Sequence, residues 1–301
     1  MTESLVVLES EPIEVGGRRR TRGEVWRRLV RRPRFILSLA VIVVLIAISA
    51  FPGLFAGLFG NGDPTVCDLS DSVIGPTSGH PFGFDVQGCD VYANVIYGAR
   101  ASLTVGLLST AMALVAAIVV GCVSGMYAGW PDSMLARLID IFLGFPFLLG
   151  AVVVLTSFST RNVLTVSVVL ALFGWPTMAR LMRAAVRQVR NADYVVAARG
   201  LGAGTVHILW RHVLPNTIAP VLAVATLTVG GVMVAEATLT FLGIGLQSPA
   251  ISWGLQLATA QSKFGTSPHL LIFPALFLSI TVLAVVTAGD ALRDAFDPRS
   301  T

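Results

Sequence analysis

The stretch "DYVVAARGLGAGTVHILWRHVLPN", residues 193–216, decides the fold, because it is a polar interruption between two long apolar runs. Residues 163–182 precede it and 217–245 follow it. Each run can cover a hydrocarbon core of roughly 30 Å, which takes about 20 helical residues. The interruption is too polar to cross a bilayer and too regular for a plain linker. In "ADYVVAAR", Tyr194, Ala197 and Ala198 fall at i, i+3 and i+4 and make one compact helical face. Gly200 and Gly202 permit a sharp, left-handed turn after it. In "TVHILWRHVL", Val206, Ile208, Leu209, Val213 and Leu214 form an apolar stripe. Pro215 marks re-entry into the next run, since the residue before a proline is pushed out of the helix. The pattern predicts a helix, a Gly turn and a second helix lying against one membrane face. Its small residues suit a short helix seated in a groove on another protein.

Working outward, the remaining apolar segments are 35–58, 100–126, 136–158 and 270–289, which makes six predicted spans in all. Only 13% of the residues are charged and 54% are hydrophobic. Soluble domains carry about 25% charged residues, so the composition excludes one. The run "FILSLAVIVVLIAISAF" at 35–51 invites reading as a cleaved signal, and "RRPRFI" hints at a twin-Arg address. The preceding polar head is long, the apolar core exceeds the usual 7–15 residues or so, and more spans follow; a transmembrane helix is the better reading. An even number of spans puts both termini on one side. The basic residues decide which side: only Arg100, Arg161 and Lys263 fall outside if the N-terminus is cytoplasmic. The outer segment 60–98 then holds five Asp and no Lys or Arg.

Chemistry-bearing motifs are sparse. There is no Cys–His cluster with metal spacing, no Gly-rich phosphate loop and no GxSxG. His80, His207, His212 and His269 sit in loops or at span edges, which argues against a membrane-embedded enzyme. The nine Arg of the head, next to a span, read as a cytoplasmic anchor meeting anionic lipid rather than nucleic acid. Asp140 and Glu236 lie in or near spans, where a carboxylate is a functional candidate. The plainer readings are an interfacial Asp140 beside Arg137 and a Glu236 that only bonds within the bundle. Cys67 and Cys89 share the outer segment as a candidate disulfide, with two free thiols as the alternative, while Cys122 reads as a small buried residue. Trp253 reads as an interfacial anchor or a contact to an outer partner. Small residues, as in "AVATLTVGG" at 223–231, allow helices to approach closely.

The 193–216 stretch resembles the cytoplasmic "EAA" loop of bacterial ATP-binding-cassette importer permeases. That loop reads Glu-Ala-Ala, three residues, Gly, nine residues, Ile, one residue, Leu-Pro. Val196-Ala197-Ala198, Gly202 and Leu214-Pro215 match its frame. Val196 stands for the Glu and His212 for the Ile, and "RHVLPN" at 211–216 looks like the variant of the peptide-importer branch. Four flanking stretches match in order: "SGMYAGWPDSMLARLIDIFLGFP" at 124–146, "GWPTMARLMRA" at 174–184, "EATLTFLGIGLQSPAISWG" at 236–254 and "GDALRDAFDPR" at 289–299. So does 80–107, apart from Cys89, where the family usually has Arg. Together they are similar to the second (C-type) permease subunit of dipeptide, oligopeptide and nickel importers.

The resemblance implies an all-α integral membrane protein of the type I importer permease fold, with six transmembrane helices and cytoplasmic termini in a bacterial cell membrane. It divides the chain into a basic cytoplasmic segment at 1–34, a first span at 35–58 and an extracytoplasmic loop at 59–99. A core of five spans at 100–289, with its coupling loop at about 183–216, and a cytoplasmic tail at 290–301 complete it. It implies a non-enzyme that binds no cofactor, ATP and Mg being used by partner subunits. The partners are a homologous permease, two ATPases and an extracytoplasmic substrate-binding protein, with the lipid bilayer around them and no nucleic acid. The ATPase contact falls on Asp193, Tyr194, Val196, Ala197, Ala198, Arg199, Gly200, Gly202, Leu214 and Pro215. Outer segments 60–98 and 247–268 are the docking candidates. Peptides lead as substrate, with nickel chelates or other small solutes as alternatives. A stand-alone carrier or channel is the rival from another class; inverted repeats or paired intramembrane charges would favour it, and the sequence has no clear repeat.

Overall fold

The computed structural model describes residues 32–60 and 62–296. Most of the basic head and residues 297–301 of the tail therefore lie outside the described residues. The described chain is helical, and its only β pairings are isolated bridges in the outer segment.

Helix α1 (Pro33–Ala50) stops where Phe51 leaves helical geometry ahead of Pro52, and a short α2 (Pro52–Ala56) follows. The predicted span at 35–58 is therefore corrected at its end, because a residue before proline is disfavoured in the helix. Helix α3 (Val91–Met126) runs 36 residues and begins well before the expected residue 100. Asp90 starts it: its side chain accepts from the backbone N–H of Tyr92 and Ala93. The outer loop expected at 59–99 thus loses its last nine residues to the helix.

The span expected at 136–158 is not one helix. Helices α4 (Trp130–Gly144) and α5 (Phe147–Thr156) meet at 86°. Pro146 has no N–H to give to the preceding turn, and Phe145 is extended before it. Five helices are long and apolar enough to cross a membrane, and the bent pair makes a sixth crossing if it spans. The others are α6 (Val163–Val189), the continuous stretch Thr205–Phe241, whose parts are named next, and α11 (His269–Phe296). Between them lie α7 (Asp193–Gly200), α8 (Thr205–Ile208), α9 (Leu214–Phe241) and α10 (Trp253–Ala260).

Small residues bring α3 and α6 together. Ala113, Ala117, Gly121 and Gly125 recur every four residues along one face of α3 and are buried. A Cβ on Gly121 would lie 2.6 Å from Met182 Cβ, and one on Gly125 2.6 Å from Val186 Cβ. With lipid outside as apolar as the side chains within, close packing of this kind holds the bundle. The Arg190 guanidinium then donates to the Gly125 carbonyl at 2.7 Å, tying the ends of α3 and α6.

The two ends of the bundle are set by polar ties. Arg100, on α3, donates to the Ser49 and Ala50 carbonyls at the end of α1. At the opposite end Arg32 pairs with Asp294 at 2.8 Å, so the start of α1 and the end of α11 lie together. The end near Arg100 also carries the outer segment. There Cys67 and Cys89 are joined in a disulfide, His80 Nδ1 lies 2.7 Å from Asp90 Oδ2, and Phe82 stacks on Phe273 of α11.

Candidate functional site

The 193–216 element sits at the Arg32 end of the bundle, where α3 and α6 finish. Helix α7 opens with Asp193 in its first turn and has Arg199 in its last, both in register with the helix dipole. It ends in a Schellman motif. The Gly202 N–H donates to the Arg199 carbonyl at 3.0 Å and the Ala203 N–H to the Ala198 carbonyl at 3.1 Å. Gly202 itself has φ +85°, and a Cβ there would meet nothing within 4 Å. The glycine is required by backbone conformation alone.

Val195 anchors α7. It is fully buried in a cluster with Ala179, Met182, Val186, Ile208 and Val213. Tyr194 and Ala198 flank it, half-buried, while Val196, Ala197, Arg199 and Gly200 are exposed. The expected face of Tyr194, Ala197 and Ala198 is therefore corrected: Val195 sets the rotation, and it carries Ala197 outward. Leu201 at 90% and Val206 at 68% exposure are, like Val196, apolar side chains that this element leaves exposed. Tyr194 faces His212 and His212 faces His207, with ring centroids 6.4 and 6.0 Å apart.

The predicted break at Pro215 is also corrected. Leu214 is helical, and a π-helical turn at Leu209–Val213 joins α8 to α9 without a gap. The wider turn absorbs the missing proline N–H. Two side chains take up carbonyls nearby: Asn216 Nδ2 donates to His212 O at 2.5 Å and Thr217 Oγ1 to Val213 O at 3.0 Å.

The two candidate intramembrane carboxylates lie apart. Asp140 is exposed and pairs with Arg180 at 2.6 Å rather than with Arg137. Asp132, which the sequence reading passed over, does more: its Oδ1 accepts from Arg183 at 2.7 Å and from Ser124 at 2.8 Å. Together these pairs bind α4 across α6. The signal was present, in that Arg180, Arg183 and Arg187 share one helical stripe facing Asp132 and Asp140. Glu236 is fully buried near the other end of α9. Its Oε1 accepts from Thr240 at 2.9 Å and Ser252 at 3.4 Å, and Ser252 in turn caps α10 through the Leu255 N–H. Trp253 beside it is neither an interfacial anchor nor a free contact. It is fully buried, and its indole N–H donates to the Val95 carbonyl at 2.9 Å.

In the outer segment Asp85 accepts from the Gln87 and Cys89 N–H groups and holds the turn at the disulfide. Burial pushes its carboxyl above the usual range, against those backbone donors, which pull it down. Among the described residues no group of three or more His, Cys, Asp or Glu could hold a metal ion.

Residues 117–301 match the family model described as "Binding-protein-dependent transport system inner membrane component". The chain is 33% identical over 276 residues to the glutathione transport system permease protein GsiD of Pectobacterium atrosepticum, covering 92% of this chain and 90% of that protein. It is 35% identical over 279 residues to the dipeptide transport system permease protein DppC of Bacillus subtilis, covering 92% and 85%. It is 34% identical over 259 residues to the oligopeptide transport system permease protein OppC of the same organism, covering 86% and 84%. The fold resembles a chain of the MetNI methionine ABC transporter in inward-facing conformations, at TM-score 0.54 and 19% identity over 68% of this chain and 97% of that one.

Proposed function

The chain belongs to the family of binding-protein-dependent transport inner-membrane components, and from that premise we propose that it is a permease subunit of an ATP-driven peptide importer. In this reading a homologous permease completes the pathway, two ATPases bind beneath it, and an outer binding protein delivers substrate. The observation that carries the coupling role is the 193–216 element. A helix pinned by Val195 and closed by the Gly202 turn presents Val196, Ala197 and Leu201 outward from the bundle. That apolar, small-residue surface suits a groove on a motor subunit. The charge distribution supports placing it, with both termini, in the cytoplasm.

ATP-driven closure of the motors then displaces α7, and the bundle rocks between inward- and outward-open states as a rigid-body switch. Asp193 and Arg199 flank the contact with charge. Val196, where the family has Glu, makes the central grip apolar. Outer segments 60–98 and 247–268 receive the binding protein.

The test is reconstituted uptake of a labelled dipeptide. Transport is expected only with a separate ATPase and ATP present. Downhill uptake by this chain alone would overturn the importer reading in favour of a stand-alone carrier. ATP-dependent uptake of nickel chelates without uptake of peptides would overturn the substrate class only.

A further inference from the structure

The break between α4 and α5 bares backbone that the rest of the chain does not cover. Among the described residues, the carbonyls of Phe142, Leu143, Gly144 and Phe145 accept no hydrogen bond from the chain. Pro146 has no N–H to return to them, and the Phe145 N–H, which an unbroken helix would give to the Ile141 carbonyl, is not bonded to it. Helix α9 ends differently: the Leu242, Gly243 and Ile244 N–H groups donate back to the Thr238, Thr240 and Leu239 carbonyls. Gly144, Phe145 and Pro146 are all exposed, Phe145 at 59%. A Cβ on Gly144 would meet nothing within 4 Å.

Packing against α6 sets the depth of this elbow. Phe142, just before it, lies with its ring centroid 6.1 Å from that of Phe173 and 5.5 Å from that of Trp175. Gly150, just after it, sits so close to the Phe173 ring that a Cβ would fall 2.5 Å from it. Phe173 and Trp175 are within a turn of the middle of α6, a helix of 27 residues. From the other side, α5 has only 10 residues, about 15 Å of helix and half of a hydrocarbon core of roughly 30 Å. Both measures put the bare carbonyls near the centre of the bilayer. Hydrocarbon offers a carbonyl no donor, and irregular backbone at membrane depth persists only where protein buries it or water reaches it. This chain does not bury it. A neighbouring helix has already spent its own backbone N–H groups internally and brings only side-chain donors, whereas water brings donors to all four carbonyls.

We propose that the elbow at Gly144, Phe145 and Pro146 lines the water-filled translocation pathway, with Phe145 as the exposed side chain that narrows it. The inference rests on the importer reading for what passes through; that the elbow is wet does not depend on it. For a peptide in transit, the bare carbonyls exchange water for backbone N–H groups, which every peptide carries whatever its side chains.

The experiment is cysteine accessibility in the assembled transporter in nanodiscs, with and without ATP and Mg²⁺, using a permanently charged methanethiosulfonate. Cys122 is buried and Cys67 and Cys89 are joined to each other, so the natural chain gives little background. Val43→Cys is the lipid-facing control, because Val43 is 57% exposed near the middle of α1. Phe145→Cys is expected to react on the order of a hundred times faster than Val43→Cys in at least one of the two states, since the reactive thiolate forms in water and not in hydrocarbon. Gly144→Cys, where a Cβ meets nothing, is the companion variant and should behave alike if Phe145→Cys fails to assemble. Modification at either position is expected to block uptake. Rates within a few-fold of the control in both states would overturn the proposal, whether lipid or a partner covers the elbow. So would fast labelling that leaves uptake unchanged, which would mark a water pocket off the pathway. Fast labelling that blocks an uptake needing no ATP would keep the pathway assignment and overturn the importer reading; slow labelling with ATP-dependent uptake intact would do the reverse.

Discussion

Gly202 is where one residue carries a whole element. Its φ of +85° costs a β-carbon-bearing residue about 1–2 kcal/mol, and the open space around it removes any steric contribution. Gly202→Val should therefore leave the bundle folded while misdirecting α7. The expected result is ATP hydrolysis by the assembled importer that no longer tracks uptake; Gly202→Asn, which tolerates the left-handed region, should retain much of the coupling. Parallel loss of both activities with loss of assembly would instead mark a folding defect. Glu236 makes a second residue-scale test. Glu236→Ala removes the acceptor for Thr240 and Ser252 and should cost about 1–3 kcal/mol, read as a lower thermal midpoint. Glu236→Gln keeps an acceptor oxygen in place and should lose much less. The glycine was legible in the sequence because a turn leaves a local signature. Trp253 was not: an aromatic next to glycine in a polar stretch reads as an interface residue. Only the long-range bond to Val95 shows it to be core.

At the scale of elements, the α3–α6 contact is the tightest test of packing. A Cβ on Gly121 falls against Met182 Cβ and also 2.9 Å from the Ala179 carbonyl, which cannot move aside as a side-chain end would. Gly121→Ala should thus destabilise by about 1–3 kcal/mol, the usual penalty for overpacking, and Gly121→Leu should prevent accumulation of the folded protein. Gly174→Ala is the control, because its Cβ would meet only Ala113 at an ordinary 3.8 Å. A melt showing equal losses for Gly121→Ala and Gly174→Ala would refute the argument. The existence of these helices was legible from hydropathy, but their ends were not. Pro52 and Pro146 lie inside apolar runs, where composition says membrane and only local backbone geometry says break. The start of α3 was hidden for the converse reason: residues 91–99 are helical through the Asp90 cap and packing against the outer segment, not through apolarity alone.

For the whole molecule, topology is the property to check. A single cysteine at Ser70 should react with a membrane-impermeant maleimide in intact cells, while one at Thr205 should react only after permeabilisation. Cys122 is buried and Cys67 and Cys89 are joined to each other, so background labelling should be low. Labelling of position 205 from outside would invert the orientation. The long apolar helices were readable from spacing, and the skew of the basic residues proposes the sidedness that this labelling tests. What could not be read was how the parts are tied across distance, as with Arg32 and Asp294, which share no local pattern. The π-helical turn has a mechanical meaning at this scale. Because it bridges α8 and α9 without a joint, Thr205–Phe241 is one rod of 37 residues, about 55 Å long at 1.5 Å per residue. One end carries Val206 beside the proposed motor contact, and the other carries Glu236 and Thr240, which hold α10 through Ser252. A tilt of about 5° around its middle would swing each tip roughly 2 Å in opposite senses. The far face would then register a stroke of the motors as a see-saw does, through leverage rather than by a relay of side chains.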